Sequence, residues 1–122
     1  MTVRPAPGPR TRAGDVGTVT AELAIGLVAV VLVLCALLLT ASASTSRVRC
    51  IDAARAGARV AALGASDAEV VAAARHLVPG ARVVVVREPP WVQVDVSRPL
   101  AGAWFAREGF TVTGSATAWA EP

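Results

Sequence analysis

The stretch 17-GTVTAELAIGLVAVVLVLCALLLTASA-43 decides the architecture of this 122-residue chain. From Leu23 to Ser46 there is no charged residue, and 24 residues of helix rise about 36 Å, enough for a hydrocarbon core of about 30 Å. One transmembrane helix over residues 18–46 is therefore expected. One residue fits badly. Glu22 lies at the very start of the apolar run, and an acidic side chain at mid-bilayer costs about 2.5 to 3.5 kcal/mol. It needs either a compensating partner or a place at the headgroup boundary.

Composition points the same way. Hydrophobic residues make up 54% of the chain and mean hydropathy is +0.55, with the excess concentrated in Leu23–Leu39 and in later Ala/Val runs. The soluble remainder has room for no more than one small domain. Net charge is +3, and every one of the 12 basic residues is arginine. They are scattered and not interleaved with aromatics on one face, so no nucleic-acid partner is expected. Met1–Gly14, rich in Pro and Gly, reads as a disordered basic leader. Arg4, Arg10 and Arg12 precede the apolar run and Arg47, Arg49, Arg55 and Arg59 follow it, so the positive-inside rule does not set the orientation.

Beyond the run the helical pattern continues through 47-RVRCIDAARAGARVAALGAS-66. No proline interrupts it, Asp52 and Arg55 stand one turn apart, and Gly64 is placed to end it in the left-handed conformation. One face is small: Ala53, Ala54, Ala56, Gly57, Ala58 and Ala61, which permits close approach to another helix or to a sheet. Ser66-Asp67-Ala68-Glu69 announces a capping box and a second helix over 67–77, ending before Val78-Pro79-Gly80. His76 near its end reads as a surface residue.

The period then changes to two. ARVVVV and WVQVDVS read as strands joined by a turn at Glu88-Pro89-Pro90, with Val92, Val94 and Val96 alternating against Trp91, Gln93 and Asp95. RPLAGAWFAREG reads as a loop or one short helix. FTVTGSATAWA reads as a third strand with Phe110 and Val112 on one side. The expected fold class is α+β: a long amino-terminal transmembrane helix continuing into a small domain, 47–122, with a short helix and a roughly three-stranded antiparallel meander. Trp91, Trp104 and Trp119 are expected to pack the sheet's core, an exposed patch being the other reading.

Candidate chemistry is sparse. Cys35 and Cys50 lie 15 residues apart, about 22 Å along a continuous helix, too far for a disulfide within the chain. Cys35 reads as a small apolar residue, and Cys50 as a thiol open to an intermolecular cross-link. No metal-ligand spacing, phosphate loop or nucleophile elbow occurs, and Asp95 and Glu108 read as solvent-facing. No catalytic residue, metal or cofactor is expected, and an enzyme is the least favoured class.

A short basic leader, Gly17, four uncharged residues, Glu22 and then an apolar helix form the processing-site arrangement of type IV pilin precursors. The chain resembles that superfamily. Within it, DVGTVTAELAIGLVAVVLVL, CIDAARAGARVAALG and the carboxy-terminal VTGSATAWA resemble the TadE-like minor pilins or pseudopilins of the tight-adherence (Flp) pilus system, in their short actinobacterial form. The likeness covers most of the chain from Asp15 on. Leu23 stands where major pilins of the system carry an aromatic, and those proteins lack an extended domain, so the likeness is to a minor subunit.

What the resemblance implies is a type IV pilin-like fold and cleavage by a prepilin peptidase between Gly17 and Thr18, on the cytoplasmic side. Residues 1–17 are then a removable leader, and the domain faces away from the cytoplasm on a single-pass membrane protein. The implied partners are the peptidase, other pilin-like subunits, the pilus assembly platform and the membrane. Glu22 would pair with the free α-amino group of a neighbouring Thr18 and so set axial register. The small face at Ala53, Ala54, Gly57, Ala58 and Ala61 would meet the domain or another subunit. Two rival expectations are a signal peptide cleaved after Ala43, releasing a secreted domain from Ser44, and an uncleaved single-pass component of an envelope complex.

Overall fold

The structure is a computed structural model and describes residues 1–9, 13–100 and 109–121. Its elements run α1 (Ala13–Ala62), α2 (Asp67–Leu77), β1 (Arg82–Glu88), β2 (Trp91–Pro99) and β3 (Thr111–Trp119), an α+β arrangement. The segment RPLAGAWFAREG, including Trp104 and Glu108, lies mostly outside the described residues. The chain divides into two compact units, Met1–Leu37 and Leu38–Pro122.

In the amino-terminal unit, residues 1–9 have no regular secondary structure and α1 begins at Ala13. The helix thus starts inside the expected leader, four residues before Gly17. Its most apolar 18-residue window has a mean hydropathy of 3.0 and none of it is buried. This is one helix long and apolar enough to cross a membrane. Hydroxyls near its start are satisfied internally: Thr18 Oγ1 donates to the Gly14 carbonyl at 2.9 Å and Thr20 Oγ1 to that of Val16 at 3.0 Å.

In the carboxy-terminal unit, α1 ends as Gly64 predicts. Gly64 has φ +82°, its N–H donates to Ala61 O at 3.0 Å, and Ala65 N–H donates to Val60 O at 3.4 Å. These are the two bonds of a Schellman motif, and they satisfy carbonyls that the helix end would otherwise strand. The capping box of α2 is present in both directions: Glu69 N–H donates to Ser66 Oγ and Ser66 N–H to Glu69 Oε2. Arg87 ties this corner to the sheet, donating through Nε to Asp67 Oδ1 and through Nη2 to Ala65 O, each at 2.8 Å.

The sheet is an antiparallel meander in the order β1-β2-β3. Its inner rows read Val83-Val96-Gly114, Val85-Val94-Ala116 and Arg87-Val92-Ala118. Side chains on this face shrink toward β3 because α1 lies against it there. A Cβ on Gly114 would overlap the Ile51 nitrogen and the Cys50 carbonyl carbon, and would stand 2.7 Å from Ile51 Cα. A Cβ on Gly57 would stand 3.1 Å from Val94 Cγ1 and 3.3 Å from Val70 Cγ1. The core gathers Ala53, Ala54, Ala58 and Ala61 of α1, Val70 and Ala74 of α2, and Val92, Val94 and Val96, with no buried polar or charged residue among those described. Each buried valine contributes on the order of 1.5 kcal/mol or more.

Phe110 differs from the expected strand: it precedes β3 and is exposed. The tryptophans differ too. Trp91 and Trp119 are half-exposed, 50% and 53%, and pair edge to face with centroids 5.0 Å apart on the outer side of the sheet. Where α1 lies against it, between Val92, Val94 and Val96 and Gly114, Ala116 and Ala118, the inner face is lined by valine, glycine and alanine and has no room for indoles.

Candidate functional site

The candidate site is the start of α1. Gly17, Thr18 and Glu22 are all exposed and helical. Val19, Glu22, Leu23, Gly26, Leu27 and Val30 fall on one stripe by their three- and four-residue spacing, and together they line a shallow depression. Gly26 has open space where a Cβ would stand. The stripe therefore carries one carboxylate, one gap and otherwise aliphatic surface. The i, i+4 spacing of Glu22 and Gly26 was the signal in the sequence for including Gly26 in the site.

No cation lies within ion-pair distance of Glu22 among the described residues. In the full-length chain Thr18 nitrogen is an amide inside the helix, so it offers no charge. The macrodipole gives little help either: its effect is confined to the first turn, where Asp15 sits, and Glu22 lies nine residues after Ala13. Removal of residues 1–17 would change both conditions. Thr18 would carry an ammonium group, and Glu22 would stand near the start of the shortened helix.

The small-faced residues of α1 have a different placement. Ala53, Ala54, Ala58 and Ala61 are buried and Gly57 faces Val94 and Val70, so within this unit the face is occupied by the chain's own sheet and α2. Cys50, expected as a thiol open to a partner, has no accessible surface, and its Sγ lies 3.9 Å from the Val112 carbonyl oxygen. Burial raises its pKa, while the Arg98 guanidinium pulls it the other way. Its position on the sheet-facing side of α1 removes it from cross-linking in the folded domain. Cys35 and Cys50 are both free.

The remaining candidates form no chemical cluster. His76 is exposed on α2, and Asp95 is half-buried on the outer face of the sheet, where it accepts from Gln93 Nε2 at 3.0 and 3.2 Å. No group of three or more metal-ligating side chains occurs among the described residues. Comparison with protein families, with curated proteins and with solved structures gives no match.

Proposed function

We propose that this chain is a minor pilin-like subunit of a tight-adherence pilus, resembling the TadE-like proteins, with a type IV pilin-like fold and a single membrane helix. A prepilin peptidase would cleave it between Gly17 and Thr18 on the cytoplasmic side, leaving the domain outside. Cleavage removes three arginines and Asp15, so the side-chain balance falls from +3 to +1. The leader acts as an address and leaves with its charge.

One observation carries this reading. Glu22 has no cationic partner among the described residues, yet it immediately precedes the uncharged run of a helix whose most apolar window has none of its residues buried, five residues after a glycine in the processing arrangement. Lipid first, and then the helices of neighbouring subunits, would cover that surface. At about 4 Å and an effective dielectric near 20, a carboxylate and an α-ammonium attract by on the order of 4 kcal/mol before desolvation. That is comparable with the insertion penalty of an unpaired acid. The pair would fix one subunit's height against the next.

The secreted-domain alternative fits the fold less well. The carboxy-terminal unit begins at Leu38, and Leu39 and Ala43 are partly buried, so a cut after Ala43 would take residues out of that unit. Intact mass of the protein from its native host, with and without the peptidase, separates the readings. A mature chain starting at Thr18 supports the proposal. One starting at Ser44 or Met1 overturns it, as does normal assembly of a Glu22→Gln variant.

A further inference from the structure

Arg47 and Arg49 are the first charges after the uncharged run, and both are exposed. Neither guanidinium makes an ion pair or a hydrogen bond among the described residues, a state shared with Arg59, Arg82 and Arg98, whereas those of Arg55, Arg75 and Arg87 do. Two residues apart on a helix, they point about 200° apart around its axis. Each opens onto its own cleft. Arg47 shares one of about 340 Å³ with Thr111 and Thr113 at the start of β3. Arg49 shares another of about 360 Å³ with Ser42 and Ser46 and with the aliphatic side chains of Leu38 and Leu100.

The hydroxyls in these clefts differ in what they can still donate. Ser44 and Thr45 spend their protons on the carbonyls of Thr40 and Ala41, at 3.0 and 3.1 Å. Thr111, Thr113, Ser42 and Ser46 donate to nothing among the described residues. Each cleft therefore joins a guanidinium fork to two hydroxyl donors, a set suited to a phosphate oxygen pair. No carboxylate lines either cleft.

We infer that the Arg47 and Arg49 clefts each hold the phosphate of an anionic phospholipid headgroup at the outer membrane boundary. The inference rests on the reading of α1 as a membrane helix, which puts these arginines where the hydrocarbon ends. Leu38 and Leu100 give the Arg49 cleft an apolar floor for the glycerol and upper acyl carbons, which a free phosphate would leave unused. Bound lipid at both clefts would hold the helix at a fixed depth until the subunit is withdrawn.

The test uses the full chain in nanodiscs of equal parts phosphatidylglycerol and phosphatidylcholine, transferred to mild detergent, with retained lipid identified by native mass spectrometry. The expected result is one phosphatidylglycerol held per cleft, favoured about fivefold over phosphatidylcholine at each. Arg47→Gln and Arg49→Gln should each lose one, and the double variant should retain both lipids in their bilayer ratio. Arg59→Gln should match the unaltered chain, and near-ultraviolet circular dichroism of the tryptophans checks that every variant is folded. An inserted chain without anionic preference, or an unchanged preference in the double variant, overturns the inference. So does displacement of the lipid by millimolar inorganic phosphate, which would make the clefts general anion sites. A chain that fails to enter the nanodisc overturns the membrane reading instead.

Discussion

Gly114 is where the sheet and α1 meet most closely, and Gly114→Ala converts that closeness into a measurable loss. The new methyl carbon would stand 2.7 Å from Ile51 Cα, with backbone atoms of Cys50 and Ile51 nearer still. Ordinary carbon contacts lie at about 3.5 to 4.0 Å, so sheet and helix must part by about 1 Å. None of the obstructing atoms is a side chain that could rotate away. A gap of that size forfeits roughly a quarter to a half of each dispersion contact across the interface. Overpacking costs typically about 1 to 3 kcal/mol, and a backbone obstruction belongs at the upper end. Alanine recovers about 0.4 to 1 kcal/mol by restricting the unfolded chain, which leaves a net loss of about 2 to 2.5 kcal/mol. Urea unfolding of the full chain in mild detergent, followed by tryptophan fluorescence, measures it. Gly57→Ala is the companion: its tight contacts are the side-chain tips of Val94 and Val70, at 3.1 and 3.3 Å, with the Val70 carbonyl oxygen at an ordinary 3.5 Å, and it gains about 1 kcal/mol of helix propensity. It should be near neutral. A Gly114→Ala variant within about 0.5 kcal/mol of the parent, or one less damaging than Gly57→Ala, refutes the reasoning.

Other outcomes follow from the same structure. Ser66→Ala should destabilise α2 by about 1 kcal/mol, read by amide exchange in residues 67–70. Hydrogen bonds from the Ser66 backbone and side chain hold the Glu69 carboxyl below its usual range, so its contribution is present above the unfolded pKa and is lost as pH falls through the folded one. Protection of α2 should therefore drop on acidification, and less so in Ser66→Ala. Cys50, buried with a raised thiol pKa, should resist alkylation at pH 8 until denaturant is added; rapid labelling of the folded protein would contradict its placement. Arg87→Lys should loosen the turn between α1 and α2, because an ammonium cannot reproduce the planar double contact with Asp67 and Ala65, and exchange at Ala65–Ala68 should rise.

Much of the domain was legible because its signals are local. Ser66 and Glu69 name a helix start through bonds they make to each other, and Gly64 names a helix end through a φ that other residues avoid. Val92, Val94 and Val96 declare a strand by alternation alone. Trp91 and Trp119 were misread because their burial depends on a distant fact, namely how close α1 comes to β3. Gly114, Ala116 and Ala118 hold that fact in their sizes, yet a row of small residues has no partner until the fold supplies one. Cys50 was misread for the same reason. At the start of α1, Gly17 and Glu22 gave the pattern, but Gly26 joins them only once the helix face is drawn.

The hydroxyls bonded back to their own helix carbonyls, Thr18 and Thr20 at one end of the apolar run and Ser44 and Thr45 at the other, leave neither end with a sharp edge. A charge-free run of about 36 Å also exceeds a hydrocarbon layer of about 30 Å by roughly one helical turn. In a bilayer such a segment has about one turn of axial play before Glu22 or Arg47 is drawn into hydrocarbon, slack that lipid bound at the Arg47 and Arg49 clefts would take up. A helix whose uncharged run only matched the hydrocarbon layer would have no such slack, and drawing it out would meet resistance from the first ångström.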